Sequence, residues 1–242
     1  MEQNLSKKTR TESDLIGSRE VPESALYGVQ TLRGIENFRI SKFHLNEYPL
    51  FIQALAITKM GAAVANRELD LLTEEQADAI LKACKEILEG KHHDQFPVDM
   101  IQGGAGTTTN MNANEVIANR ALELMGHQRG EYQYCSPNDH VNRSQSTNDA
   151  YPTAIHIGLY YTHLKLVKHF EVLIESFRKK ATEFAHVIKM GRTQLEDAVP
   201  MTLGQTFNGF ASILRHEVKN LDFAAQDFLT VNMGATAIGT GI

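Results

Sequence analysis

The longest helical pattern in the chain lies in its second half. Residues 151–189 contain only Pro152 and Gly158 as helix breakers. Apolar side chains recur there at helical spacing, at Leu159, Leu166, Phe170, Leu173, Phe177, Phe184 and Ile188. A second such stretch covers residues 203–232. Helices this long, with wide apolar stripes, need partners in a bundle. The chain is therefore predicted to be mainly α-helical, with two nearly antiparallel long helices joined by the polar loop GRTQLEDAVP.

The first half predicts shorter helices between polar segments. Residues 1–48 show little periodicity and are predicted to be irregular, and a helix is predicted over residues 51–69. A second helix follows the capping-box pattern Thr73-Glu74-Glu75-Gln76. A third is predicted to begin near Met111 and to end at Gly126. No run of β-branched residues between turns demands a sheet.

A change of character near residue 143 predicts a domain boundary. Residues 127–149 are polar and turn-rich, and long ordered loops in compact domains are often functional. We therefore expect an N-terminal helical domain over residues 1–143. Residues 144–242 are expected to form the first part of a central helical bundle. The apolar stripes of that part exceed what two helices can cover, so self-association is also expected.

Composition and charge exclude several functional classes. The chain has 242 residues, of which 42% are hydrophobic and 22% charged, and its net charge of −5 gives no electrostatic case for nucleic-acid binding. The apolar runs are too short to span a membrane, and the N-terminus lacks the apolar stretch of a secretory signal. Two cysteines form no disulfide framework. These features predict a cytoplasmic protein without nucleic-acid or membrane partners.

The sequence contains no strong metal or cofactor motif. The segment GGAGTTTN lacks the lysine of a phosphate-binding loop, and GATAIGTG is not the dinucleotide fingerprint. His92, His93 and Asp94 are adjacent, and adjacent residues rarely converge on one metal. We therefore expect neither a metal nor a cofactor.

Three clusters of neutral hydrogen-bonding residues precede predicted helices. They are GGAGTTTNMNANE (103–115), SQSTNDA (144–150) and GRTQLEDAVP (191–200). Their hydroxyl and amide groups are typical of helix caps, with Thr107–Thr109, Ser146–Asn148 and Thr202 as the capping residues. The same geometry suits a small anion, because helix N-termini expose unpaired N–H groups. Spacing alone leaves both interpretations open.

Several motifs, in order and spacing, resemble the aspartase/fumarase superfamily. They are LIGSREVPESALYGVQTLRGIENF, GGAGTTTNMNANEVIANRALELMG, PNDHVNRSQSTNDAYPTA, GRTQLEDAVPMTLGQ and the terminal GATAIGTG. Through DQFPVDMIQGGAGT and ELMGHQRGEYQY the chain is most similar to the aspartate ammonia-lyase (aspartase) branch. Fumarases typically have histidine at the positions of Gln194 and Ser136. Some aspartases also carry the first of these histidines.

The resemblance implies elimination of ammonia from L-aspartate to give fumarate, through abstraction of a Cβ proton and an aci-carboxylate intermediate, in a homotetramer. It assigns substrate binding to Thr107, Ser146, Thr147 and Asn148, and to Thr193 and Gln194 from a different subunit.

One family motif is absent from the chain. The GSSxMPxKxN loop, whose serine would be the general base, does not occur in residues 1–242. We therefore expect an N-terminal part of a longer enzyme, inactive alone and without a catalytic residue of its own. The alternatives are a fumarate hydratase of the same superfamily and a non-catalytic helical interaction module.

Overall fold

The structure, a computed structural model, describes residues 8–242. Its main elements in chain order are β1 (Thr9–Asp14), β2 (Gly17–Pro22), α1 (Val29–Asn37), α2 (Pro49–Glu68), α3 (Glu74–Leu88), α4 (Thr107–Leu124), α5 (Thr147–Glu183), β3 (Ile188–Thr193), β4 (Glu196–Thr202) and α6 (Leu203–Ala224). Single 3₁₀ turns occur at Leu45–Glu47, His93–Gln95 and Ala225–Leu229, and a π-helical turn occurs at Pro137–Val141. The prediction of a mainly α-helical fold is confirmed.

The chain forms two compact units. The first unit contains residues 8–158 and 231–242, and the second contains residues 159–230. The domain boundary expected near residue 143 stays a prediction.

Helices α2, α3 and α4 enclose the core of the first unit. Its largest fully buried apolar side chains are Leu45, Ile52, Leu55, Ile80, Ile87, Phe96, Ile117 and Leu122. The predicted capping box starts α3, because Thr73 Oγ1 accepts a hydrogen bond from the backbone N–H of Gln76 at 3.2 Å. Helix α4 is buried on all sides over most of its length, as expected for a helix at the centre of a packed unit.

The prediction that residues 1–48 are irregular is wrong for residues 8–48. Residues 1–7 lie outside the described residues. Strands β1 and β2 form an antiparallel hairpin, and α1 follows it. The strands carry no apolar alternation, because most of their side chains are exposed. An ion pair of 2.8 Å between Arg33 Nε and Asp14 Oδ2 joins the hairpin to α1. Sequence periodicity does not report a hairpin stabilised by such polar contacts.

The segment GRTQLEDAVP is also a hairpin rather than a loop. Strands β3 and β4 pair antiparallel, and Thr193 faces Glu196 across the turn. The two turn residues, Gln194 and Leu195, have φ angles of 50° and 67°. Two-residue turns of this kind usually contain glycine or asparagine. Because this turn has neither, it lacks the sequence pattern that predicts a hairpin.

The long helices are antiparallel, as predicted, but their bounds differ from the prediction. Helix α5 begins at Thr147 and ends at Glu183, whereas α6 ends at Ala224. His163 contacts Asp222, whereas Phe184 lies against Phe207 near the other end of the pair. Contacts in this opposite order require antiparallel axes.

Two glycines of α6 provide a test of the packing between α5 and α6. A Cβ at Gly204 would overlap the carbonyl oxygen of Ala181 and lie 2.8 Å from Cα of Ala185, whereas a Cβ at Gly209 would meet nothing within 4 Å. We expect Gly204→Ala to lower the free energy of unfolding by about 1–3 kcal/mol through overpacking. Gly209→Ala should raise it by about 0.5–1 kcal/mol, because alanine favours the helix. Urea denaturation of both variants measures the difference, and equal effects would contradict the packing described.

Candidate active site

The first neutral cluster forms a tight loop that leads into α4. Gly104, Ala105 and Gly106 have φ angles of 75°, 50° and 91°. Glycine is required at position 106, since a Cβ would lie 2.5 Å from the ring of Tyr151. Helix α4 begins at Thr107 rather than near Met111, and Gly106 is its N-cap. The prediction that the threonines at 107–109 cap this helix is therefore wrong.

The second cluster begins α5 with a side-chain cap. Ser146 Oγ accepts a hydrogen bond from the backbone N–H of Asn148 at 3.2 Å, and the Asp149 carboxylate accepts one from the Ser146 N–H at 2.9 Å. Thr147 Oγ1 accepts a hydrogen bond from Asn110 Nδ2 of α4 at 3.2 Å. This contact joins the second cluster to α4, the helix that the first cluster begins.

A buried lysine supports both clusters. Lys59 of α2 has no exposed surface. Its Nζ donates to Asn110 Oδ1 at 2.8 Å, to Asn142 Oδ1 at 2.9 Å and to Gln145 Oε1 at 2.9 Å. Burial lowers the pKa of Lys59 to about 7. Three amide oxygens nevertheless require three N–H hydrogens, which only the ammonium form has, so the contacts favour ammonium at neutral pH.

A surface cavity of about 490 Å³ lies where the two clusters meet. Its walls are Met100, Gln102, Ala105, Gly106, Asn148, Tyr151 and Pro152, none of which carries a charge at neutral pH. Gly106 is the N-cap of α4, and Asn148 lies in the first turn of α5. Two helix N-termini therefore contribute to this cavity. The positive end of a helix dipole favours an anion such as a small carboxylate.

The remaining predicted site residues belong to the second unit. Thr193 ends β3, Gln194 begins its turn, and both side chains are exposed. Thr202 caps α6 as predicted, since its Oγ1 accepts a hydrogen bond from the Gln205 N–H at 3.1 Å. Of the predicted site residues, Asn148 lines the cavity, whereas Thr107, Ser146 and Thr147 lie next to its walls in the chain but are not among them.

A comparison with protein families identifies the family of this chain. A sequence profile of a family described as lyase matches residues 17–242. The chain belongs to this lyase family. The match includes both neutral clusters of the first unit and the β3–β4 hairpin of the second.

Curated relatives in the lyase family are similar over nearly all of the chain. It is 56% identical over 239 residues to aspartate ammonia-lyase of Escherichia coli strain K12, covering 98% of the chain and 50% of that protein. It is 58% identical over 234 residues to aspartate ammonia-lyase of Pseudomonas fluorescens, covering 96% and 49%. The chain thus spans about half the length of the curated relatives it matches.

Solved structures show the same fold. Fumarate lyase:delta crystallin from Brucella melitensis in native form matches with a TM-score of 0.92 and 51% identity, over 95% of this chain and 54% of that one. Recombinant class II fumarase from Schistosoma mansoni matches with a TM-score of 0.88 and 37% identity, over 97% and 49%. The fold is therefore shared with a solved structure of 37% identity.

His92 and His93, which are adjacent in the sequence, contact different partners. His92 Nε2 lies 3.1 Å from Glu86 Oε2, and His93 Nε2 lies 2.8 Å from the carbonyl oxygen of Ile87. Within residues 8–242, no three His, Cys, Asp or Glu side chains are grouped as a metal site. Of the helices in this range, none is both long and apolar enough to cross a membrane.

The sequence analysis did not identify two buried charged residues that contact the clusters, Lys59 and Asp149. Lys59 lies within the apolar run ALAITKMGAAVA, one helical turn from Leu55 and from Ala63, which are both buried. A lysine on the buried face of a helix rarely lacks a specific partner, so this pattern could have predicted the polar network. Asp149 gave no comparable pattern, because two of its three partners lie more than 80 residues away.

Replacing Lys59 tests the network. Lys59→Met removes the donor from Asn110 Oδ1 and Gln145 Oε1, whereas Asn142 Oδ1 keeps hydrogen bonds from other amides. We expect the free energy of unfolding to fall by about 2–5 kcal/mol, because a buried acceptor on Asn110 and a half-buried acceptor on Gln145 lose their donor. The control is Lys82→Met on the exposed face of α3, with a change within about 0.5 kcal/mol. Urea denaturation of both variants measures the difference, and a stable Lys59→Met protein would contradict the network's role.

Proposed function

We propose that the complete protein containing this chain catalyses the reversible elimination of ammonia from L-aspartate to give fumarate. The observation that carries the proposal is the 56% identity, over 98% of this chain, with aspartate ammonia-lyase of Escherichia coli. Because the chain spans about half of that relative, the activity is proposed for the longer protein.

The chemistry of the reaction fits a site of neutral, fixed donors. The base takes the Cβ proton, and the electrons of that C–H bond move into the β-carboxylate, giving a doubly negative aci-carboxylate. These electrons then form the Cα–Cβ double bond, while the Cα–N bond breaks and its electron pair leaves with the nitrogen as ammonia. The site must bind the β-carboxylate more strongly as this charge builds. Two helix N-termini at one cavity supply fixed dipoles, and the positive end of a helix dipole stabilises such a charge.

Substrate binding is assigned to the residues that the resemblance identified. Asn148 lines the cavity, and Ser146 and Thr147 lie beside it at the start of α5. Thr107 is exposed at the first position of α4, where its hydroxyl donates to the carbonyl oxygen of Gly104 at 2.6 Å. That hydroxyl oxygen keeps lone pairs for an ammonium or N–H donor.

Thr193 and Gln194 are proposed to complete a neighbouring subunit's site. A glutamine cannot exchange protons near neutral pH, so Gln194 would orient or donate but would not act as the base.

The general base is proposed to be the serine of the family's GSSxMPxKxN loop, a motif that residues 1–242 do not contain. The Thr107, Ser146 and Thr147 hydroxyls do not supply this base, because their contacts are with neutral groups. Lys59 is enclosed by three amide oxygens that favour its protonated form. Residues 1–242 alone are therefore proposed to be inactive.

The complete protein is further proposed to be a cytoplasmic homotetramer. Large apolar side chains of the second unit are exposed, including Val172 (68%), Ile213 (61%) and Phe223 (82%). Apolar surface of this extent usually marks an interface. We expect sedimentation of the complete protein at micromolar concentration to give a tetramer, and a strictly monomeric species would contradict the proposal.

The test of the proposed activity is an assay of the complete protein with L-aspartate and with L-malate, both followed by fumarate formation. Aspartate turnover supports the proposal, and malate turnover alone would identify a fumarate hydratase. Turnover of neither substrate would favour the interaction module. Residues 1–242 are assayed separately, before and after addition of the separately expressed remainder. Activity that appears only on mixing supports a base outside residues 1–242.

Two substitutions test the assignment of substrate-binding residues. In the complete protein, Asn148→Ala and Thr193→Val should each lower kcat/KM for aspartate by about 10²–10³, because each removes a pre-aimed donor. Asn46→Ala, at an exposed position of the first unit, is the control and should leave turnover unchanged. Gln194→His should keep part of the activity, since some aspartases carry histidine there. Near-normal turnover in Asn148→Ala or Thr193→Val would remove that residue from the site.

A further inference from the structure

The turn at residues 232–237 binds the start of α5 through a buried carboxylate. Asp149 has no exposed surface. One of its oxygens accepts the Ser146 N–H at 2.9 Å, which is an ordinary contact at the start of a helix. The other oxygen accepts the N–H groups of Gly234 at 3.1 Å and Thr236 at 2.9 Å. A helix cap requires only the first contact, so the second oxygen serves the 232–237 turn.

The shape of that turn depends on the carboxylate. Gly234 and Thr236 have φ angles of 88° and 61°, which bring their N–H groups to one side. A positive φ is rare for a β-branched residue such as threonine, and it persists only where surrounding contacts require it. The two charge-assisted hydrogen bonds to Asp149 are such contacts.

A proline creates the second connection. In α5, the N–H of residue 152 would donate to the carbonyl oxygen of Asn148 four residues earlier, but Pro152 has no N–H. Asn232 Nδ2 donates to that carbonyl oxygen instead, at 3.1 Å. In the opposite direction, Asn148 Nδ2 donates to the carbonyl oxygen of Ala237 at 2.8 Å. Both the backbone and the side chain of Asn148 are therefore bound to the 232–237 turn.

We propose that Asp149 is a positioning residue for Asn148. Its carboxylate holds the 232–237 turn on the first turn of α5, and the turn fixes the rotamer and amide orientation with which Asn148 meets the substrate. The inference rests on the proposed function, in which Asn148 contacts aspartate. It also assigns a role in that reaction to the segment GATAIGTG (234–241). The backbone N–H and carbonyl groups of this segment contribute by positioning Asn148.

The test uses the complete protein and four variants. Asp149→Asn retains shape but keeps one acceptor oxygen, so whichever way the amide faces, at least one backbone N–H meets its NH₂ group. We expect kcat/KM for aspartate to fall about 10- to 100-fold, the scale of charge-assisted hydrogen bonds. Asn232→Ala changes an exposed side chain and should lower kcat/KM about 3- to 10-fold, the scale of one neutral hydrogen bond. Asp70→Asn, the same chemical change at an exposed residue with a φ of 57°, is the matched control and should have no effect.

The readout specific to positioning is a double-mutant cycle with Asn148→Ala. If Asp149 acts through Asn148, Asp149→Asn should add little to the loss already caused by Asn148→Ala. The inference would be overturned if the losses in kcat/KM of the two single variants multiplied in the double variant. It would also be overturned if the Asp149→Asn protein were as active as the Asp70→Asn control. If Asp149→Asn does not fold, the cycle of Asn232→Ala with Asn148→Ala decides by the same criterion.

Hydrogen exchange separates this inference from the proposed function. The Gly234 and Thr236 amides should be protected in the unmodified protein and should exchange at least 10-fold faster in Asp149→Asn. An unmodified protein that does not turn over aspartate would contradict the proposed function and the role of Asp149 in it. The exchange rates would still show whether Asp149 holds the turn. Unchanged exchange in Asp149→Asn would overturn the inference even in an active enzyme.

Discussion

The buried ammonium group of Lys59 is the interaction on which the candidate site depends. It offers three hydrogens to three amide oxygens, from Asn110 of α4 and from Asn142 and Gln145 of the segment before α5. Moving an ammonium group out of water costs several kcal/mol, even with partners, so the apolar core around α2 to α4 must offset that cost. The result is a fixed relation between the beginning of α4 and the beginning of α5, and these two N-termini contribute to the cavity.

A buried carboxylate determines the other contacts of α4. Glu115 accepts hydrogen bonds from the N–H groups of Gly28, Gln30 and Thr31 and from the Thr31 hydroxyl at 2.6–3.0 Å. Burial raises the pKa of Glu115 to about 7, whereas these four donors stabilise the carboxylate. The polar run NMNANE therefore has a structural role, because its buried members bind Lys59, backbone groups and the start of α1. Of the first cluster, the loop that precedes α4 and Thr107 at its first position remain for a ligand.

Periodicity predicted a helix that buries one face, and it failed for hairpins whose side chains are mostly exposed. Helix α3 was found because its apolar residues repeat at helical spacing behind a capping box. The β1–β2 and β3–β4 hairpins were missed because most of their side chains are exposed, which leaves no alternation to detect. Thr202 correctly indicated the start of α6, whereas α5 begins at Thr147, four residues before its predicted start at residue 151. The contacts of Lys59 are 51 to 86 residues apart in the sequence, so no local pattern contains them.

The placement of charges explains why the cavity walls can be neutral. Lys59 and Asp149 are both fully buried, and the negative charge of Asp149 opposes the lowering of the Lys59 pKa by burial. The opposite formal charges of the two ions sum to zero, and each ion has three hydrogen bonds. The N-termini of α4 and α5 add dipoles that are fixed before a ligand arrives. Fixed dipoles stabilise charge that develops during a reaction without the cost of reorienting. A mobile surface lysine would instead bind the ground-state carboxylate strongly from the outset, which lowers KM without raising kcat.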